Sequence, residues 1–337
     1  MIKHNVENKI KQINIGVELL RFILCLWIVI VHCSDIKNEH KKYFAKGFHV
    51  PTFIFISFYF FYPTLEGRDI SKIILRFKRL LLPYILWPLI FFILKNYLIR
   101  IIPNNLTLKD IYIQILIGTQ FHRIFWFQFN LIFLSLFLSI ITFIFKSNFL
   151  IALKFIGIIS LYLHFSGINY SFFNSTNENY RMSLGSLIEL IPLTAISSFF
   201  NSVNVLTKIK RLSLHIQLIL FSLILFLFKY RLFIGYRGCM YSNVLLYIHA
   251  STILFLFFGS LTFDNTKVII PVIKYITKFT GGIYYIHPVV GEYLRNYLLF
   301  FDKKSYFSAI IIYILNYIFC FFCNKIFKNN TLRYLFI

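Results

Sequence analysis

Long apolar runs, separated by short clusters of Lys, Arg, Asp, Asn and Pro, recur along the whole chain. They fall near residues 15–36, 48–65, 80–99, 125–145, 149–165, 184–200, 212–229, 244–262, 277–299 and 306–327. A hydrocarbon layer about 30 Å thick takes roughly 20 apolar residues to cross as a helix. Helix is the required conformation, because lipid offers no partner to backbone N–H and C=O groups. The pattern therefore predicts an all-α, polytopic transmembrane bundle of about ten helices, with residues 1–337 forming one domain. The stretch from Val268 to Leu299 has room for a short re-entrant piece ahead of its helix. Crossings of this length leave only short loops in 337 residues. That excludes a large soluble catalytic domain, so any chemistry must sit in or beside the bundle.

Composition agrees: 58% of residues are hydrophobic and 14% charged, against a usual charged share of about 25%. The net charge of +23 is spread over nearly every loop and makes no single basic face, which argues against nucleic-acid binding. The five cysteines make no disulfide framework, since Cys25, Cys320 and Cys323 fall inside apolar runs. The first run ends in His32-Cys33-Ser34-Asp35 without a small-residue cleavage pattern, so it is expected to be retained as a helix. Arg68, Lys72, Arg76, Lys78 and Arg79 face only Glu66 and Asp69 and are expected to form a cytoplasmic loop between helices 2 and 3. This predicts a multi-pass plasma (inner) membrane protein with its amino terminus in the cytoplasm.

Ionisable groups inside an apolar run cost about 2.5–3.5 kcal/mol each at mid-membrane on insertion scales, and so they normally face the bundle with a partner. The first run carries Glu18, Arg21, His32 and Asp35, which at about 100° per residue fall on one side of the helix. His32 lies about 16 Å beyond Arg21 at 1.5 Å rise per residue. In one reading, Glu18 and Arg21 neutralise each other and His32 sits at the outer interface. In the other, His32 is a general base or nucleophile for a hydroxyl, with Asp35 orienting it.

Arg76 and Arg79 share a helix face and have the spacing to fork onto phosphate oxygens; a topology anchor or lipid-headgroup contact is the alternative. His287-Pro288 marks an expected helix break that brings a histidine to a cavity or into packing. Trp126-Phe127 reads as an aromatic anchor at the outer interface, and Glu189 and His249 read as structural polar residues.

Four patches, in order, resemble the acyltransferase-3 family of integral membrane enzymes: Glu18-Leu19-Leu20-Arg21 with His32, Val50-Pro51-Thr52-Phe53-Ile54-Phe55-Ile56-Ser57, Arg76/Arg79 leading into Leu82-Pro83-Tyr84, and Ile283-Tyr284-Tyr285-Ile286-His287-Pro288. Trp126-Phe127 is similar to a fifth patch, opening a central helix. The chain departs from the family at Phe58, where members often carry Gly after the helix-2 Ser.

The resemblance implies transfer of an acyl group, most often acetyl, from acyl-coenzyme A to a hydroxyl of a cell-surface polysaccharide or its lipid-linked precursor. It implies catalysis by His32 and Arg21, to which the spacing adds Asp35 as the orienting partner of His32, and donor binding by Arg76 and Arg79. Glu18, Trp126 and His287 are expected to line the substrate cavity. The donor is acetyl-CoA, the acceptor a glycan, the surroundings the lipid bilayer, and no metal is called for. Alternatives are a polysaccharide exporter whose path is lined by the same charges, or a scaffold that needs no coenzyme. An exporter predicts inverted repeats with broken helices in matching halves.

Overall fold

The computed structural model describes residues 14–33, 48–97, 112, 124–166, 185–209, 212–234, 244–261, 269–297, 306–327, 332 and 334–336. Among these residues the protein is helical and contains no strand. In chain order the helices are α1 (Ile15–Cys33), α2 (His49–Glu66), α3 (Ile70–Tyr97), α4 (Phe125–Phe145), α5 (Phe149–Phe165) and α6 (Ser186–Ser202). They continue as α7 (Val205–Ile209), α8 (Leu214–Ile234), α9 (Val244–Ser260), α10 (Ile269–Thr277), α11 (Thr280–Tyr297) and α12 (Tyr306–Ile326).

Three stretches, Ile15–His32, Phe125–Phe165 and Phe307–Ile326, are long and apolar enough to cross a membrane. The second is the α4–α5 hairpin, whose helices meet at the 3-10 turn Lys146–Asn148. These stretches do not by themselves establish the expected ten crossings. The exterior is nevertheless apolar, with Ile144, Ile158, Ile219, Phe226, Ile314 and Phe322 exposed. Thr52, Asn130, Ser135, Glu189, His287 and Asn316 are buried inside. That distribution suits a chain whose solvent is lipid.

α1 packs against α2, α9, α10, α11 and α12. Its first turn is capped by Asn14, whose Oδ1 accepts from the Val17 N–H at 3.0 Å while its Nδ2 donates to the Gly259 carbonyl at 3.0 Å. One side chain thus satisfies an orphan donor of α1 and ties it to the end of α9. Gly16 is required at this junction: a Cβ there would lie 1.7 Å from the Phe258 carbonyl oxygen.

The basic segment after α2 is not a loop. Gly67 and Arg68 turn the chain, Arg68 with φ 49°, and α3 starts at Ile70, ten residues ahead of the expected 80. Asp69 caps it, accepting from the Lys72 N–H at 3.0 Å and pairing with the Lys72 ammonium at 2.8 Å. Lys and Arg are good helix formers, so with a cap in place nothing in this segment stops the helix. Arg76 and Arg79 are therefore held on a helix continuous with the bundle. Pro83 and Pro88 lie inside α3 without ending it. The expected short piece ahead of the late helix is α10, which turns through 278–279 into α11.

Candidate active site

The polar stripe on α1 forms as its spacing demands. Arg21 Nη1 donates to both Glu18 carboxylate oxygens at 3.1 Å, and Nη2 donates to Thr280 Oγ1 at 3.4 Å. One turn further on, Cys25 Sγ donates to the Thr280 carbonyl at 3.5 Å. α11 therefore starts beside the Arg21–Cys25 turn of α1. At the other end the His32 and His287 rings approach to 5.4 Å between centroids. Two contacts in the same order on both helices mean that α1 and α11 run side by side in one direction. His32 is exposed and His287 wholly buried. Asp35, expected to orient His32, lies outside the described residues.

His287 is fixed by its own helix. Its Nδ1 meets the Ile283 carbonyl at 3.1 Å; a carbonyl only accepts, so Nδ1 carries a proton there. Contrary to expectation, Pro288 does not break α11, which continues to Tyr297. Missing one N–H, the helix is supported laterally by α4: Tyr284 donates to the Ile124 carbonyl at 2.6 Å and Tyr285 to Gln128 Oε1 at 2.5 Å. Gln128 in turn donates to the Leu80 carbonyl of α3 at 2.9 Å. The Tyr284 ring lies 6.1 Å from His287 and 5.5 Å from Phe127.

Trp126 is not an exposed interface anchor. It and Phe127 are buried in the core, 6% and 8% exposed, because α4 enters the bundle at Ile124 and turns this face inward. Glu189 on α6 is not a lone acid, for its Oε1 lies 3.8 Å from His164 Nδ1 of α5. His249 is exposed and bonds the Leu245 carbonyl of its own helix, as a structural residue would.

Arg76 and Arg79 do not fork together. Arg76 turns into the bundle, where Nε donates to Ser135 Oγ at 2.9 Å and Nη2 to Ser57 Oγ at 2.8 Å. Its guanidinium lies 4.1 Å from the Phe61 centroid and 5.2 Å from that of Phe58, the residue standing where the family often has Gly. Phe58 thus builds one wall of the arginine's slot. Arg79 instead lies over the Tyr334 ring at 5.2 Å. Tyr334 belongs to a turn at 334–336 held on α3 by the Trp87 indole, which donates to the Leu335 carbonyl at 3.2 Å.

Sequence reasoning missed Thr280, Ser57, Ser135, Gln128 and His49. Thr280 had a usable signal, standing two turns before His287 on the same face. Ser57 stood in the helix-2 patch of the resemblance without a role assigned to it; Ser135 had no signal, since Ser in an apolar run commonly bonds its own helix, as Ser135 also does to the Leu131 carbonyl at 2.7 Å.

A helical bundle with an apolar exterior and inward-turned Arg, Glu and His side chains defines a membrane protein with a polar site inside it. A family described as an acyltransferase domain, acyltransferase-3, matches residues 14–325. The chain belongs to that family, and is a membrane acyltransferase. No curated protein and no solved structure is significantly similar to it.

Proposed function

We propose that the protein transfers an acyl group, acetyl in the first instance, from acyl-coenzyme A to a hydroxyl of a cell-surface polysaccharide or its lipid-linked precursor. In this reading it crosses the plasma membrane about ten times, with its amino terminus inside. The observation that carries the reading is the pairing of exposed His32 with buried His287 at one end of α1, while cationic Arg21 and Arg76 stand towards the other. The anionic head of the donor meets Arg76 and Arg79, and its arm extends past Arg21 towards His32. Arg21 is about 16 Å along the axis from His32 and is paired with Glu18, so it shapes α1 beside the arm's path and does not act on the carbonyl that reacts at His32.

The chemistry needs one proton relocated. Acting as a general base in its neutral form, the His32 imidazole takes the proton of the acceptor hydroxyl. The oxygen forms its bond to the thioester carbonyl carbon, the C–S bond breaks, and the departing thiolate is protonated. If His32 instead carries the acyl group transiently, the same bonds exchange in two steps and the kinetics are ping-pong. The test is transfer of labelled acetyl from acetyl-coenzyme A to purified surface glycan in membranes holding the wild type or His32→Ala. A positioned base contributes about 10²–10⁴ in rate, so His32→Ala should lose at least about a hundredfold. Equal transfer by both proteins would remove His32 from the reaction.

A further inference from the structure

A third histidine stands at the same end of the molecule. His49 opens α2, and its ring lies 6.4 Å from that of Trp27 on α1, tilted by 36°. Trp27 lies five residues, about 8 Å along α1, before His32. His49 is 7% exposed, yet its Nδ1 is fully buried with no hydrogen-bond partner among the described residues. Two other helical histidines show one way such a nitrogen is satisfied: His287 and His249 each turn Nδ1 to the carbonyl four residues back. As the first residue of α2, His49 has no preceding turn of its own helix to use. Its backbone is nevertheless fixed, for Thr52 donates to the Phe48 carbonyl at 2.6 Å and lies 3.2 Å from Ser251 Oγ of α9. A rigidly placed imidazole with a buried, unmet nitrogen costs stability unless a ligand meets it.

We infer that His49 is an acceptor-binding residue of the site: its Nδ1 hydrogen-bonds the hydroxyl-bearing substrate and holds it against His32. The inference rests on the acyl-transfer reading above. The acceptor is favoured over the donor by position along α2. Ser57, which holds Arg76, is eight residues further on, about 12 Å at 1.5 Å per residue. The arginine proposed for the donor's anion thus stands about half-way along the same helix, and His49 stands at its start, beside Trp27 on the way to exposed His32. His49 takes no net proton, since the hydroxyl proton passes to His32 and finally to the coenzyme A thiolate.

The experiment is steady-state transfer by the full-length, detergent-purified protein, with labelled acetyl-coenzyme A and surface polysaccharide purified from the same cells. His49→Asn keeps a polar atom near the place of Nδ1, His49→Gln places it near Nε2, and His49→Leu removes it. Losing a buried ligand hydrogen bond should raise the acceptor KM about tenfold in the Leu and Gln variants, with the donor KM within about twofold, and Asn should recover most of it. An unchanged acceptor KM in His49→Leu, a rise confined to the donor KM, or Asn behaving as Gln does would overturn the assignment while leaving acyl transfer standing. Should the Leu variant not purify as a single species, the Asn and Gln pair decides. A wild type that transfers nothing removes the acyl-transfer reading, and the role of His49 with it.

Discussion

Two arginines turned into the bundle are kept there by opposite means. Arg21 is neutralised by Glu18 three residues before it on the same helix, and the pair keeps 36% and 18% side-chain exposure. Arg76 has no carboxylate partner among the described residues; two serine hydroxyls and two aromatic faces hold it. The first arrangement is complete in itself. The second holds a guanidinium in place without cancelling its charge, as the proposed donor site requires. Buried charge is therefore not one kind of evidence. The partner's identity separates an arginine that maintains the fold from one poised for a ligand.

That contrast can be broken at either arginine. Arg76→Lys keeps the charge but loses the planar group that reaches Ser57, Ser135 and Phe61 together, and a lysine point charge does not replace a fork stacked on a ring. The expected result is a donor KM raised by about tenfold or more, with thermal stability nearly unchanged, measured by donor titration beside a melting curve. Coincident losses of stability and donor affinity would make Arg76 structural, like Arg21. Arg21→Gln should do the reverse and leave Glu18 without its cation. Breaking a fully buried pair costs about 3–5 kcal/mol; the partial exposure here reduces this to about 1–2 kcal/mol by solvent screening. The double variant Glu18→Gln/Arg21→Gln should regain most of the melting temperature. If it melts no higher than Arg21→Gln alone, the pair is not self-contained.

The smallest effect belongs to the start of the helix that carries Arg76. Lys72, bonded to Asp69, holds its carboxyl below the usual carboxylate range. A folded pKa below the unfolded one contributes stability above the unfolded value, about 3.9, and that contribution is lost as pH falls through the folded value. Asn caps a helix about as well as Asp, so Asp69→Asn isolates the charge. Wild type should melt slightly higher than Asp69→Asn at pH 7, and the two curves should converge below about pH 4. A difference that does not begin to shrink as pH falls below about 4 would assign it to the cap and not to the ion pair.

The long apolar runs were legible because lipid permits little else, and so was the Glu18–Arg21 pair, whose spacing alone joins it. His32 and His287 were each singled out by local oddity, a polar residue at the end of an apolar run and a histidine before proline. Their meeting was not legible, because it is made by the docking of α1 beside α11. The helical start of α3 was hidden by charge, which reads as loop in a hydropathy pattern although Lys and Arg favour helix. Trp126 misled because an amphipathic ring is equally at home in a core or at a membrane surface. His49 went unnoticed because its significance is an unmet nitrogen, a property of packing that no spacing encodes.

The junction at Gly16 gives α1 the mechanics of a lever. The helix is pressed at one end onto the Phe258 carbonyl, with no room for a single methyl group. His32 stands at its far tip, sixteen residues on, about 24 Å away at 1.5 Å per residue. A small tilt at such a fulcrum is magnified along the arm, so the placement of the His32 imidazole, the base of the proposed reaction, is set in part by a contact with no reactive group. Atomic fit where α1 meets α9 thereby governs alignment at the opposite end of the helix.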